Sequence, residues 1–380
     1  MILTLTANPS LDRTIEVPGP VLRGQVQRAV WAGQQPGGKG VNVSRAVAAS
    51  DRDTLAVLPG DIDDPVLTGL DATGLAHRSV PTGTPLRSNI TVTEPDGTTT
   101  KINEPGSPLS PQAQDELLDL VAEQAVGASW VVLAGSLPPG VDDDFYARAI
   151  KRIRQLDRPP LIAVDTSGAP LTAALMASPD LIKPNAEELA ELLNAAGLLH
   201  ASGLRDDSDP RVAVESLGTA ELQTIADRLE SSPQLTARAT STLLNARGPR
   251  PRSILATLGA GGAVLAQPDA AWHAQHPPTD VVSTVGAGDS TLAGYLLGLT
   301  DGREPDAALA RAVAYGSAAA RLRGTGVPSP ADARTDAVTV TSLETSAAPL
   351  TGSPTAHTDT HTDDTSHRHE GTAPEAEEAR

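Results

Sequence analysis

An acidic residue inside a glycine-rich turn is the feature of this sequence that points most directly to chemistry. Residues 283–290 read STVGAGDS, between an extended apolar segment and a helical pattern. Glycines let several backbone N–H groups face one point, and the start of a helix adds partial positive charge, so such a turn favours a phosphate. Asp289 would repel that phosphate unless it had a task such as accepting a proton from an attacking hydroxyl. A carboxylate that only caps the helix is the competing interpretation, and this run alone does not decide between them.

A second glycine-rich run lies near the N-terminus, where residues 37–42 read GGKGVN. It is similar to a phosphate-binding P-loop, but Gly40 stands where that loop needs a Ser or Thr hydroxyl for Mg²⁺, which excludes a P-loop NTPase. The glycines instead allow the backbone to approach a polar ligand, with Lys39 and Asn42 reaching it. The alternative is a connection that merely needs positive φ.

Two segments further along the chain are weaker signals by themselves. Residues 183–188, KPNAEE, end a strand and begin a helix, so Asn185 and Glu188 predict a capping box, although both could also orient Mg²⁺-bound water. Residues 257–262, TLGAGG, form a glycine turn between strands that could line a nucleotide cleft together with the turn at Gly286. Early in the chain, Asp12 follows a strand end, where its carboxylate could hold sugar hydroxyls, and Arg87 could clamp a phosphate.

The elements that must position these residues alternate between strand and helix from about residue 130 onwards, which predicts a parallel sheet covered on both faces. A hairpin at residues 87–102, with its turn at 94–97, fits that sheet poorly and indicates a small β appendage. Residues 200–251 are polar, with a helical pattern only at 219–230 and otherwise loop-like. From about residue 347 the chain has almost no apolar residues and is expected to be disordered.

Composition excludes several classes of protein. The 380 residues carry a formal net charge of −18, which argues against a nucleic-acid binder or an anionic membrane surface. The chain has no Cys, so disulfides, zinc–thiolate sites and thiol nucleophiles are impossible. Without a secretory pattern at residues 1–20 or a long apolar run, a cytoplasmic protein is expected. His and Asp residues in the tail could bind a metal weakly, but a solvated tail is the favoured interpretation.

Six motifs occur in the order typical of one family: residues 3–12 (LTLTANPSLD), 37–42, 100–106 (TKINEPG), 134–140 (AGSLPPG), 183–188 and 283–290. Together they resemble the ribokinase-like PfkB carbohydrate kinases, and in particular their phosphosugar branch. The resemblance implies a doubly wound, mostly parallel α/β domain over residues 1–338, with helices on both faces and a small β-sheet lid from about 12–35 and 86–104. The lid often mediates dimers in this family, so a homodimer is expected.

The resemblance also implies the chemistry and the residues. ATP and Mg²⁺ would phosphorylate a ketohexose monophosphate, fructose 1-phosphate giving fructose 1,6-bisphosphate, with tagatose 6-phosphate and fructose 6-phosphate as alternative acceptors. The implied catalytic residues are the base Asp289 and the anion-hole residues Gly286, Ala287 and Gly288. The implied substrate-binding residues are Asp12, Gly38, Lys39, Asn42, Arg87 and Asn103. The implied nucleotide-binding residues are Lys183, Asn185, Thr257, Gly259 and Gly262, with Asn185 and Glu188 acting on the metal through water.

Two departures from the family pattern leave alternatives open. Residues 58–65, LPGDIDDP, are more acidic than expected, which puts a distal part of the substrate wall in doubt. The stretch after residue 199 is longer than in typical members and either covers the nucleotide cleft or is an inert insertion. A sugar-phosphate-binding protein without catalysis is the rival from another class, and the presence of Asp289, Asn185 and Glu188 argues against it.

Overall fold

The computed structural model describes residues 1–205 and 217–345. Within these ranges the strands are β1 (Ile2–Thr6), β2 (Ser10–Glu16), β3 (Trp31–Gly37), β4 (Thr54–Pro59), β5 (His77–Val80), β6 (Arg87–Thr93), β7 (Thr99–Asn103), β8 (Trp130–Ala134), β9 (Leu161–Asp165), β10 (Leu181–Ile182), β11 (Ser253–Thr257), β12 (Ala263–Gln267), β13 (Ala270–Gln275) and β14 (Thr339–Leu343). The helices are α1 (Lys39–Ala48), α2 (Pro65–Thr73), α3 (Pro111–Gln124), α4 (Phe145–Ile153), α5 (Gly168–Leu175), α6 (Ala186–Ala195), α7 (Thr219–Ser231), α8 (Pro233–Leu244), α9 (Ala287–Thr300) and α10 (Pro305–Ala320).

The large sheet has the strand order β14-β13-β12-β11-β10-β9-β8-β1-β4-β5. Pairing is parallel from β5 to β11 and antiparallel from β11 to β14. Parallel strands present side chains to both faces and therefore need apolar cover on both. Leu3 and Leu5 of β1 accordingly belong to one core cluster, whereas Ile2 belongs to a second cluster. The predicted α/β architecture with helices on both faces is confirmed.

A separate small sheet forms the lid, with the order β3-β2-β6-β7. β2 pairs antiparallel with β3 and parallel with β6, and β6–β7 is the predicted hairpin. The sheet is anchored where β2 follows β1 after only three residues and where β3 runs directly into α1. These two connections bring lid residues to the carboxyl end of the large sheet.

The long polar stretch contains more structure than its composition indicates. Besides α7, which matches the predicted helical pattern, residues 233–244 form α8 and pack against the large sheet through Ala237, Ala239 and Leu243. The loop-like interpretation is wrong for this segment because its buried face is made of small residues. Thr236 and Thr240 are fully buried there, and their hydroxyls donate to backbone carbonyls. Such a face looks polar by residue type, although the two threonine hydroxyls are satisfied by nearby backbone carbonyls.

Residues 206–216 and the acidic, His-containing tail from residue 346 lie outside the described residues, so the disorder and metal expectations for that tail stay predictions. In the part of the chain that the structure describes, no helix is both long and apolar enough to cross a bilayer.

Candidate active site

A cleft of about 920 Å³ opens at the carboxyl ends of the parallel strands, with the lid on one side. Every residue to which the sequence assigned a role lines it: Asp12, Gly38, Lys39, Asn42, Arg87, Asn103, Lys183, Asn185, Glu188, Thr257, Gly259, Gly262, Gly286, Ala287, Gly288 and Asp289. The carboxyl edge of an open parallel sheet is where such folds bind ligands, because the loops there are free to diverge. The geometry thus brings together segments separated by up to 277 residues in the sequence, from Asp12 to Asp289.

Asp289 lies in the first turn of α9, with 7% of its surface exposed. Gly286 starts this helix in the left-handed region at φ 78°, which turns the preceding segment into the helix. The extended segment predicted before this turn is not a strand, since β13 ends at Gln275 and residues 276–286 are irregular. The Asp289 carboxylate accepts a hydrogen bond from Asn42 Nδ2 at 2.8 Å, and the helix start has no side-chain cap bond. Among the described residues this carboxylate is bound by the Asn42 side chain and accepts no hydrogen bond from a backbone N–H of α9.

The pKa of Asp289 is raised to about 6, first because burial disfavours the charged form and second because the Asp165 carboxylate is near. Lys39, the Asn42 hydrogen bond and Lys183 act in the opposite direction. The group is thus ionised at pH 7 and yet far more basic than an ordinary Asp, which suits a general base.

The helix start also offers backbone donors next to this carboxylate. N–H groups in the first turn of an α-helix have no acceptor within the helix. Gly288 and Asp289 occupy that turn, whereas the Ala287 N–H has a long contact of 3.4 Å to the Thr284 carbonyl. Gly286, Ala287 and Gly288 all border the cleft, as an anion hole requires.

A buried charge cluster joins the two sides of the cleft. Asp165, at the end of β9 and fully buried, accepts Lys39 Nζ at 2.7 Å and lies 3.1 Å from Lys183 Nζ. Burial alone would raise the pKa of Asp165, but Lys183 and Lys39 lower it below the usual value. Asp165 belongs to none of the motifs in the sequence, although a carboxylate that ends the apolar run of β9 is a signal for it.

Asp12 sits on β2 of the lid, at its junction with the large sheet. Ser10 Oγ donates to its carboxylate at 2.7 Å and Asn89 Nδ2 at 3.1 Å. Burial raises the pKa of Asp12, and these two bonds together with Arg87 and Arg45 counteract that rise. A Cβ on Gly37 would lie 2.1 Å from Asp12 Oδ2, so this glycine is needed for the close approach of the carboxylate. Gly38, by contrast, needs its positive φ of 106°.

Arg87 borders the lid end of the cleft. Its Nη1 donates to the Glu104 carbonyl at 3.0 Å, while its Nε is buried without a hydrogen-bond partner among the described residues. Lys101 and Asn103 on the exposed strand β7 line the same end. Lys101 is a cation that sequence analysis did not single out.

The acidic segment at residues 58–65 supports the approach to Arg87 and is not part of the cleft wall. Asp61 accepts the N–H groups of Thr82 and Gly83, and Asp64 accepts Leu86 N at 2.9 Å while it also caps α2. The unusual acidity therefore has a structural cause, since it fixes the loop that leads into β6.

Asn185 and Glu188 form the predicted capping box at the start of α6. Asn185 Oδ1 accepts Glu188 N at 2.8 Å, and Glu188 Oε2 accepts Asn185 N at 2.9 Å. The second carboxylate oxygen, Glu188 Oε1, remains 3.6 Å from Lys39 Nζ. The capping interpretation is confirmed, and one oxygen is left for a further role.

The turn at residues 257–262 borders the far end of the cleft and is fixed from two sides. Thr257 N donates to the Pro184 carbonyl, which ties the turn to the start of α6. Gly262 has φ +87°, and a Cβ there would lie 2.0 Å from the Ala274 carbonyl oxygen. His273 Nε2 donates to the Gly261 carbonyl at 2.7 Å, so a histidine without any role in the sequence analysis holds this turn. The contact depends on the β12–β13 register, for which the sequence has no signal.

Comparisons with known proteins agree on one family. The profile described as pfkB family carbohydrate kinase matches residues 5–332. A 1-phosphofructokinase of Haloferax volcanii is 34% identical over 352 residues, covering 91% of this chain and 100% of that protein. An ATP-dependent 6-phosphofructokinase isozyme 2 of Mycobacterium tuberculosis is 30% identical, covering 79% of this chain and 78% of that protein. The solved structure of phosphofructokinase-2 from Escherichia coli in complex with potassium superimposes with a TM-score of 0.68 at 26% identity, covering 87% and 96% of the two chains, and the expected ribokinase-like fold is confirmed.

Proposed function

Because this chain belongs to the pfkB family of carbohydrate kinases, we propose that it transfers the γ-phosphoryl group of ATP to a ketohexose monophosphate. Fructose 1-phosphate is the proposed acceptor and fructose 1,6-bisphosphate the product. The observation that carries the proposal is Asp289, a buried carboxylate with a pKa raised to about 6, held by Asn42 beside the open N-terminus of α9.

In the proposed reaction Asp289 accepts the proton of the free primary hydroxyl of the sugar. The resulting oxygen forms a bond to the γ-phosphorus while the bond to the β-phosphate oxygen breaks, and ADP leaves with the electron pair. The N–H groups at the start of α9 face the transferred oxygens. Phosphoryl transfer depends mostly on such positioning and charge stabilisation.

Lys39 and Lys183 are each proposed to contact a different substrate. Lys39 borders the sugar side and Lys183 the nucleotide side, and both bind Asp165. Burial lowers the pKa of Lys39, but Asp165, Glu188 and Asp289 raise it well above the usual value, so its charge is permanent. Two fixed cations near the path of the transferred group offset its negative charge.

Asn185 and Glu188 fit a role in orienting Mg²⁺-bound water more than direct ligation. Asn185 Oδ1 and Glu188 Oε2 are already engaged in the capping box, and among the described residues no group of three His, Cys, Asp or Glu side chains could hold a metal. Mg²⁺ keeps several waters and binds through substrate phosphates, which matches one remaining carboxylate oxygen. When bound with ATP, it would neutralise charge on the phosphates.

The lid side supports a phosphorylated sugar as the acceptor. Asp12 and Asn42 offer acceptors and donors for hydroxyls, and the buried Arg87 Nε together with Lys101 offers cations for the phosphate already on the sugar. The relative named 6-phosphofructokinase makes fructose 6-phosphate the second candidate. Tagatose 6-phosphate is the third.

We also propose that the lid forms a homodimer. Exposed apolar side chains concentrate on the β2–β3 connection and on β7, namely Val21, Leu22, Val26, Val30 and Ile102. Burying such a patch against a second copy would remove it from water. Sedimentation of Val26→Asp beside the unsubstituted protein tests this: a dimer that becomes a monomer supports the lid interface, and an unchanged species contradicts it.

Measuring ADP release with the three sugar phosphates tests the function. We expect kcat/KM to be highest for fructose 1-phosphate, and ATP turnover to need the sugar. ADP release with fructose 6-phosphate as the best acceptor would reassign the substrate. Binding of the sugar phosphates without any ADP release would instead favour the binding-only alternative.

A further inference from the structure

Arg45, on α1, joins three parts of the molecule through one guanidinium group. Its Nη2 donates to Gln35 Oε1 at 2.7 Å and its Nη1 to the Pro36 carbonyl at 3.3 Å, both on lid strand β3. The same Nη1 reaches the Thr325 carbonyl at 3.0 Å and Asn42 Oδ1 at 3.3 Å. A planar fork can span acceptors in several directions, which a lysine ammonium cannot do.

The contact with Asn42 fixes which way its amide points. An amide has one acceptor end and one donor end, whereas a guanidinium only donates. Arg45 must therefore face the Asn42 oxygen, which leaves Asn42 Nδ2 to donate to Asp289 Oδ2 at 2.8 Å. The reverse orientation would place the amide oxygen against the carboxylate and two donors against each other.

The Thr325 contact extends this arrangement to the turn before α9. Thr325 Oγ1 donates to Gln35 Oε1 at 3.3 Å, the same acceptor that Arg45 uses. The neighbouring residue Gly324 accepts Ser283 Oγ at 3.0 Å, and Ser283 lies three residues before Gly286. One set of hydrogen bonds thus runs from β3 of the lid to both the carboxylate and the anion turn.

We propose that Arg45 is a positioning residue that couples the seating of the lid to the orientation of Asp289, by locking the Asn42 amide with its donor end toward the carboxylate. The role of Asp289 as the base rests on the proposed function. The lock itself is a property of the free protein. When β3 is seated, Gln35 and Pro36 fix the guanidinium, which in turn fixes Asn42.

The charged side chains around Asp289 and Arg45 determine in which direction the pKa of Asp289 should change. Asp289 faces Lys39 from α1, Asp165 from β9 and Lys183 from the segment after β10, while Arg45 faces Asp12 from the lid. None of these side chains replaces the Asn42 donor. Since that hydrogen bond lowers the pKa of Asp289, releasing the amide should raise the pKa further and move the acid limb of activity to higher pH.

The test compares Arg45→Gln and Arg45→Lys with Asn42→Ala and with the double variant Arg45→Gln/Asn42→Ala. We expect each single variant to lower kcat about ten- to a hundredfold, with an unchanged KM for ATP, and the double variant to be no worse than Asn42→Ala alone. Arg52→Gln is the matched control, because Arg52 forms an exposed ion pair with Asp301 outside the cleft. It should leave kcat and its pH profile unchanged.

A measurement independent of turnover separates this inference from the proposed function. Carbon-13 NMR of labelled Asp carboxyls, assigned with Asp289→Asn, reports the pKa of Asp289 in the free protein. A higher pKa of Asp289 in both Arg45 variants supports the lock. This holds even if Asp289→Asn leaves turnover intact, a result that would reject Asp289 as the catalytic base. Two results would overturn the lock. One is that the kcat losses of Arg45→Gln and Asn42→Ala multiply in the double variant. The other is an Asp289 resonance that titrates unchanged in Arg45→Lys, the variant that keeps the positive charge and can be used if Arg45→Gln fails to fold.

Discussion

The two halves of the cleft are built on different principles. On the sugar half, side chains from separate elements bind each other: Asp12 on β2 accepts Asn89 from β6, Asn42 on α1 donates to Asp289 on α9, and Arg45 on α1 donates to Gln35 on β3. On the nucleotide half, positions follow from local backbone geometry, such as the turn that ends at Gly262 and the capping box of α6. The first half is organised by long-range hydrogen bonds and the second by sequence-local motifs. This difference predicts which substitutions affect one substrate and which affect both.

The largest effect is expected at Asp289, where the two halves meet. Asp289→Asn keeps an acceptor for Asn42 but cannot take a proton, so kcat should fall by about 10²–10⁴ while ATP affinity stays nearly unchanged. Steady-state kinetics and calorimetric ATP titration measure the two quantities. Asp306→Asn is a matched control, because Asp306 is an exposed acid in the first turn of α10. Equal turnover of Asp289→Asn and the unsubstituted protein would dismiss the mechanism.

Substituting Asp165 should affect both halves of the cleft, since Asp165 binds a lysine from each. Asp165→Asn leaves Lys39 and the buried Lys183 without their shared counter-ion, which typically costs about 3–5 kcal/mol of unfolding free energy. We expect KM to rise for both the sugar and ATP. Urea denaturation and kinetics with each substrate varied test this. A change in one KM alone would mean that Asp165 serves only one half.

The acid limb of the pH profile tests the raised pKa of Asp289, where the two halves of the cleft meet. The base acts when it is deprotonated, and the Asp289 pKa is raised to about 6, so kcat/KM should fall as pH drops through 6 and not near 4. Below that pH the loss approaches tenfold per unit, as for one essential ionisation. A profile flat down to pH 5 would contradict the raised pKa.

The same contrast explains what the sequence could predict. Strand–helix alternation and the hairpin turn are local patterns, and both the α/β fold and the lid hairpin follow from them. Most assigned residues line the cleft because they lie at a glycine turn, a helix start or a strand end, whereas Asp12 lies within β2 and Asn42 within α1. Whether each performs its assigned role stays a prediction.

What the sequence could not predict depends on long-range register. Asp165, Arg45 and His273 act through partners more than ten residues away or in another element, and no spacing rule encodes those contacts. The second helix of the polar stretch, α8, was not predicted because Thr and Ser share its buried face with Ala and Leu, which hides the apolar pattern. These are positions where packing, and not local preference, determines the outcome.

The smallest predicted effect concerns His273, whose side chain adds a hydrogen bond to the nucleotide half of the cleft. His273→Ala removes the donor to the Gly261 carbonyl, and one such hydrogen bond is worth about three- to tenfold in binding. We expect KM for ATP to rise by that factor with kcat and the sugar KM unchanged, and His273→Gln, whose amide can donate from a similar position, to restore most of it. His77→Ala removes a comparable contact, between His77 Nδ1 and the Leu75 carbonyl at 3.0 Å, outside the cleft, and it should leave both KM values alone. If His273→Ala instead raised the sugar KM, the turn at 257–262 would belong to the sugar half of the cleft and not to the nucleotide half.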